Sequence, residues 1–255
     1  MARHDLRDRH VLITGASSGI GAALAVELAR RGARLGLMAR RSELLEEVKA
    51  SVQEVGGQAA AVVADVVDPE GLAAGVAQLE EELGPVYGLV ANAGIGIPTA
   101  RGHIQLPRDA QTISINVNGV IHAVAAVQPG MLERGEGFLS VVSSVAASRG
   151  LPGSGAYCAS KAAVSTLFES LRLDLRGSGL SVIAIHPGFV TTPMTQKNRF
   201  HMPFLMGPER AARIIARALE RGQARLTFPW QMAMVAWLMK RVPNIIWDRL
   251  GALRK

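Results

Sequence analysis

Six short apolar runs, separated by longer helix-patterned stretches, govern what this chain can fold into. The runs are HVLIT (10–14), RLGLMA (34–39), AAAVVAD (59–65), YGLVAN (87–92), FLSVVS (138–143) and LSVIAIH (180–186). They are apolar almost throughout instead of alternating apolar with polar, the pattern of strands covered on both faces. Between them lie helical patterns: about Gly19 to Arg31, SELLEEVKASVQEV (42–55), DPEGLAAGVAQLEEEL (68–83), roughly 108–131, and Tyr157 to about Arg176. Ser42 is the expected N-cap of the second, and Asp68, with Pro69 at the first helical position, caps the third. Alternation at this spacing predicts an α/β fold, a doubly wound parallel sheet flanked by helices on both faces.

The 255 residues are 49% hydrophobic, ample for one core, and no repeat or low-complexity linker divides them, so a single domain is expected. The one cysteine, Cys158, has no partner for an internal disulfide, which points to a reducing compartment. The start, MARHDLRDRHVLITG, lacks the apolar run of a signal peptide, and no apolar stretch is expected to reach the roughly 18 residues that span a bilayer. A cytoplasmic protein is expected. Its net charge of +7 is concentrated at one end. Residues 1–196 hold 16 lysines and arginines against 18 acids, while 197–255 hold 12 against 3. No zinc-finger spacing or aromatic RNA-binding motif accompanies that basic end, so no nucleic-acid partner is expected.

Two local patterns carry chemistry. T14-G-A-S-S-G-I-G21 lies between the first strand and the first helix, where glycines let backbone approach a pyrophosphate at the positive end of the helix. Tyr157 and Lys161 lie one turn apart on a helix, hence on one face. A lysine ammonium about 5 Å from a phenol, at an effective dielectric near 20, stabilises phenolate by about 3 kcal/mol, or about two pKa units. The pair therefore suits a proton-transferring tyrosine.

Together these stretches resemble the short-chain dehydrogenase/reductase family. Thr-Gly-x-x-x-Gly-x-Gly is its cofactor loop, and Asn92-Ala93-Gly94 after the fourth strand is its second mark. Tyr157-x-x-x-Lys161, Ser144 thirteen residues earlier, Asn116 in INVNG, and Pro187-Gly188 with Thr192 complete the match over about residues 8–195. The resemblance implies a Rossmann-type fold and hydride transfer between a nicotinamide and a carbonyl or secondary alcohol.

The resemblance assigns Gly15, Ser17, Ser18, Gly19, Ile20 and Gly21 to the cofactor phosphates, with Asp65 and Val66 at the adenine. It further assigns Asn92, Ala93 and Gly94 to the loop beside the ribose, and Pro187, Gly188, Val190 and Thr192 to the nicotinamide. Tyr157 and Lys161 would also touch the ribose. At the end of the second strand the family's acidic position is Ala39, followed by Arg40 and Arg41. With no acid to repel a 2′-phosphate, NADP(H) is expected, Arg40 leading and Ser17 or Arg41 assisting. Asn116, Ser144, Tyr157 and Lys161 would be catalytic. Tyr157 would transfer the proton, Ser144 would hold the substrate oxygen, and Asn116 would bend its helix and bind a water in a relay to Lys161. Ser143 and Asn118 stand as alternatives to Ser144 and Asn116. Cys158 reads as core, and His122 and His186 lack partners at metal-ligand spacing, so no metal is expected.

The substrate would be enclosed by residues 94–104, 145–155 and a lid at about 191–207. Apolar lining favours a lipophilic ketone, aldehyde or alcohol, with Arg101, Arg149 and Arg199 as the candidate anchors for any charged group. The domain is read as residues 1–225 and the remainder, 226–255, as an extension holding Trp230, Trp237 and Trp247. Its apolar, basic character suits either peripheral contact with an anionic membrane or burial against a second subunit of a homodimer or homotetramer.

Overall fold

Seven strands, β1 (His10–Thr14), β2 (Arg34–Ala39), β3 (Gln58–Val63), β4 (Val86–Ala91), β5 (Gly137–Val142), β6 (Leu180–Pro187) and β7 (Arg225–Phe228), form one sheet in the computed structural model. The structure describes residues 3–98, 103–198 and 200–252. Every strand pair is parallel and the order is β3-β2-β1-β4-β5-β6-β7. Winding therefore reverses between β1 and β4, and a crevice opens beyond the carboxyl ends of these two strands.

The apolar runs are explained by what lies on each face. Successive side chains of a strand point to opposite sides, so Val11 and Ile13 join one core while Leu12 joins the other. The first core packs β1, β2 and β6 against α1 (Gly19–Ala29), α2 (Ser42–Glu54) and α7 (Pro208–Glu220), through Leu24, Leu28, Leu45, Ile215 and Leu219. The second packs the other face against α3 (Pro69–Leu83), α5 (Gly119–Arg134) and α6 (Gly155–Asp174), through Leu72, Leu79, Val124, Val164 and Phe168. Burying each such side chain is worth about 1.5–3 kcal/mol. Two filled faces hold the sheet rigid beneath the crevice.

Asp68 caps α3 as expected, its Oδ1 accepting from the Gly71 N–H at 3.0 Å. Ser42 does not cap α2. It is the first helical residue, and the extended Arg41 precedes it. The helix expected over 108–131 runs from α4 (Leu106–Ile113) through a π-helical turn, Ser114–Asn118, into α5. This 29-residue run is long and apolar enough, by length and composition, to cross a membrane, which corrects the expectation that no such stretch exists. Its inner side packs against the sheet through Ile115, Val120, Ala123, Val124 and Val127. β7 was not foreseen. It adds to the β6 edge, so residues 226–228 of the expected extension lie within the sheet. Two further helices follow, α8 (Trp230–Met239) and α9 (Asn244–Ala252).

Candidate active site

A cavity of about 570 Å³ occupies the crevice. One end is made by the turn from β1 into α1. Thr14 ties the two sides of the switch point together: its hydroxyl accepts from the N–H groups of Asn92 and Ala93, each at 3.1 Å. The Asn92 amide returns bonds to the carbonyls of Thr14 (3.0 Å) and Gly15 (3.1 Å). Gly15 has φ +65°, and a Cβ there would lie 2.7 Å from the Ala93 Cα. Only glycine fits such a turn. A Cβ on Gly21 would lie 2.5 Å from the Gly15 carbonyl oxygen, so α1 approaches the turn closely. Ser18 precedes α1 and makes no side-chain capping bond to it, leaving the first-turn N–H groups available to an anion.

Two arginines stand over this end. Arg41 Nη2 donates to Ser17 Oγ (3.0 Å) and Ser18 Oγ (2.8 Å). Arg40 pairs instead with Asp65 at 3.4 Å. Both arginines line the cavity, as do Asp65 and Val66. Bare backbone, open N–H groups and two cations fit the phosphates of a dinucleotide.

The other end carries the acid–base groups. Burial pushes the Tyr157 pKa above the usual tyrosine value, although the neighbouring Ser144 hydroxyl acts to lower it. Lys161 Nζ lies 5.9 Å from the centre of the Tyr157 ring and donates to the Val142 carbonyl at 2.9 Å. Burial lowers the Lys161 pKa to about 8. In the protein alone desolvation of the phenolate is the largest influence on Tyr157. Near pH 7 Lys161 still carries its charge.

Ser143 and Ser144 are separated by where their hydroxyls go. Ser143 is buried, bonded to the Lys161 carbonyl at 2.9 Å and to Ser165 Oγ at 2.8 Å. Ser144 meets Tyr157 and also accepts from the Ala146 N–H at 3.1 Å. Asn116 sits in the π-helical turn, wholly buried, outside the cavity lining. Its Oδ1 accepts from the Ile95 N–H (2.8 Å), and its Nδ2 donates to the Ile95 carbonyl (2.9 Å) and Ser160 Oγ (3.0 Å). With both amide protons committed, the Asn116 side chain braces the 92–96 loop.

A family model described as short chain dehydrogenase matches residues 9–202. The chain is 42% identical to an uncharacterised oxidoreductase of Myxococcus xanthus over 94% of its own length and 95% of the relative's. The chain belongs to the short-chain dehydrogenase family. An uncharacterised oxidoreductase of Mycobacterium tuberculosis is 34% identical, with 86% of this chain and 88% of the relative covered. Among solved structures, levodione reductase superposes with a TM-score of 0.83 at 29% identity, covering 89% of this chain and 99% of that one. A short-chain dehydrogenase/reductase from Burkholderia phymatum in complex with NAD gives 0.86 at 25% identity, covering 92% and 94%.

Of the cofactor-binding and catalytic residues expected in this short-chain dehydrogenase, all but Gly21 and Asn116 line the cavity. Val190 is held by a bridge to Met206, and Thr192 belongs to a hydroxyl cluster with Thr195, which also bonds the Val190 carbonyl at 2.6 Å. Thr195 and Gln111 line the cavity and had not been singled out. Thr195 follows Thr192 at the spacing of a local hydroxyl turn, whereas nothing local marks Gln111. Pro187 and Gly188 form the rim below Val190. Arg149 is no substrate anchor: its guanidinium donates to the carbonyls of Met239 and Val242 and to Asn244 Oδ1, and stacks 4.8 Å from the centre of the Trp247 ring. Trp247 Nε1 in turn donates to the Gly150 carbonyl at 3.2 Å. The C-terminal helices are thereby latched to the loop after Ser144. Arg101 and Arg199 lie outside the described residues. Cys158 is buried among core residues, and burial raises its thiol pKa.

Proposed function

We propose that this oxidoreductase is an NADP(H)-dependent carbonyl reductase or alcohol dehydrogenase in which Tyr157 is the general acid and base. The observation that carries the reading is the layout of one cavity, with a glycine turn and two arginines at one end and Ser144, Tyr157 and Lys161 at the other. The nicotinamide, when bound, supplies or accepts the hydride. The chain's own groups handle the proton. Ser144 holds the substrate oxygen against the Tyr157 hydroxyl, which donates its proton as the oxygen gains charge. The raised phenol pKa keeps that proton in place until it is needed, and Lys161 stabilises the phenolate left behind. Lys161 would also hold the cofactor ribose; its Nζ lies beside Gly94, where a Cβ would be 3.3 Å away.

NADP(H) is favoured over NAD(H) because buried Ala39 leaves no acid at the end of β2, and Arg40 and Arg41 follow it. The sequence put Arg40 first. The contact pattern favours Arg41, which already rests on Ser17 and Ser18, while Arg40 is drawn toward Asp65.

A lipophilic substrate suits the walls near Tyr157. Ile95, Ile97, Ile115 and Met194 line them, and an added Cβ on Gly96 would touch both Met194 Sδ (3.1 Å) and the Tyr157 ring (3.7 Å). We place the enzyme in the cytoplasm, as a homodimer or homotetramer in contact with a membrane surface through the part of 226–255 that follows β7. Solitary Cys158 supports the compartment, and the exposed Ile121, Leu132 and Leu173 support self-association.

The test is to follow NADPH and NADH oxidation against a panel of lipophilic ketones and aldehydes. NADPH-preferring turnover is expected. NADH preferred over NADPH would overturn the cofactor assignment, and cofactor binding without turnover across the panel would favour a regulatory role on the same fold.

A further inference from the structure

The last two helices turn an apolar face outward. On α8, Trp230, Met234, Trp237 and Leu238 are 69, 58, 56 and 56% exposed. Their spacing of i, i+4, i+7 and i+8 puts them on one face. Met232 and Ala236, on the other face, are buried. α9 adds Ile245 and Ile246, 67 and 49% exposed. Single exposed apolar residues are ordinary, but a contiguous set marks an interaction surface. Cations flank this one. Arg241 follows α8 and Arg249 lies on α9, whereas Lys240, in line with the buried Met232 and Ala236, turns to a second cavity beside His186 and Arg225; the only acid between residues 229 and 252 is Asp248. Arg241 is fixed at the edge of the apolar face, its guanidinium 3.7 Å from the centre of the Trp237 ring and Nη1 3.2 Å from the Trp237 carbonyl.

Charge decides between the two natural occupants. A two-fold contact with a second copy would set this patch against itself. Both sides of that contact would carry Arg241 and Arg249, with one aspartate per chain to offset them, and an excess of like charge across an interface is disfavoured. An anionic bilayer meets the same cations with opposite charge and takes tryptophan and aliphatic side chains into its interfacial layer. We propose that α8 and α9 dock this short-chain dehydrogenase on an anionic lipid surface, with α8 lying in the plane of the membrane.

This deepens the membrane reading given above and adds a consequence for substrate access. The inner side of α8 packs behind the cavity: Met232 Cγ would lie 2.8 Å from a Cβ on Gly188, a lining residue. Arg149 ties the carboxyl end of α8 to the loop that follows Ser144. Docking would therefore hold the cavity next to the phase in which a lipophilic carbonyl concentrates.

The experiment uses the full chain and sucrose-loaded vesicles, of phosphatidylcholine alone or mixed with phosphatidylglycerol, with no cofactor or substrate. Sedimentation with the anionic vesicles only, reversed by salt and accompanied by a blue shift of tryptophan emission, is expected. Each cation near an anionic surface strengthens binding about fivefold, so Arg241→Gln with Arg249→Gln should weaken partitioning about 30-fold. Met234→Glu should remove it while leaving NADPH affinity unchanged. Failure to sediment with anionic vesicles would overturn the proposal. So would light scattering showing an oligomer that Met234→Glu splits, because a second copy would then cover the face. Neither readout depends on turnover, so a failed reductase assay would leave the docking result standing.

Discussion

Lys161→Met should change how the stability of the cofactor-free protein depends on pH. Lys161 is 5% exposed, and burial lowers its pKa from 10.5 to about 8. Between those values the unfolded chain binds more protons at this site than the folded one, so stability rises with pH. The sign is that of a depressed pKa: the contribution is fully present above about 10.5 and lost as pH falls through about 8. Integrating between pH 7 and pH 9.5 gives a gain of about 2 kcal/mol from this one group. Lys161→Met keeps an unbranched chain of similar reach and removes the titration. The variant also leaves the Val142 carbonyl without its 2.9 Å partner, but that loss is nearly independent of pH and cancels in the slope. Urea unfolding followed by tryptophan emission, at fixed protein concentration and at several pH values, measures the difference. The wild type should gain about 2 kcal/mol relative to the variant over that range. Parallel stability curves for the two proteins would refute the claim that the ammonium is held in a desolvated site beside Tyr157.

Arg149→Ala should free α8 and α9 locally, raising amide exchange across 230–247 by about tenfold to a hundredfold, the equivalent of one or two charge-assisted bonds; unchanged exchange would show that the latch carries no weight. Arg41→Ala should weaken NADPH binding about tenfold or more and leave NADH nearly unaffected, and Arg40→Ala should do less, by fluorescence titration of both cofactors. Equal loss for both cofactors would argue against a 2′-phosphate contact. Asn116→Ala strands buried partners at Ile95 and Ser160 and should lower unfolding stability by about 2–4 kcal/mol, with thermal unfolding as the readout. A change below about 0.5 kcal/mol would mean that the brace is not needed.

The strands of the switch point were legible because both faces of the sheet are filled: Val11, Leu12 and Ile13 each meet a core, so the sequence shows no polar residue to obscure the run. The site motifs were legible because they sit where the chain has little freedom, as at Gly15, whose turn admits no side chain. What was not legible depended on partners far away in sequence. Arg149 looks like a free cation until the residues around 239–247 arrive beside it. β7 is four residues long and is a strand only because β6 presents an edge to it. The i,i+4 spacing of Tyr157 and Lys161 reports their proximity but not the burial that lowers the Lys161 pKa. Asn116 was placed correctly in a bend, yet its bonds to the Ile95 backbone could not be read without the loop that brings Ile95 to it.

The central claim is that the Tyr157 hydroxyl delivers the proton. Turnover of wild type and Tyr157→Phe, with NADPH and a carbonyl that the wild type reduces, tests it most directly when NADPH affinity is measured on the same samples. The account predicts NADPH binding within about twofold of wild type and kcat lower by about a hundredfold to ten-thousandfold, the range for loss of a general acid. A variant that binds NADPH normally and turns over at the wild-type rate would contradict it.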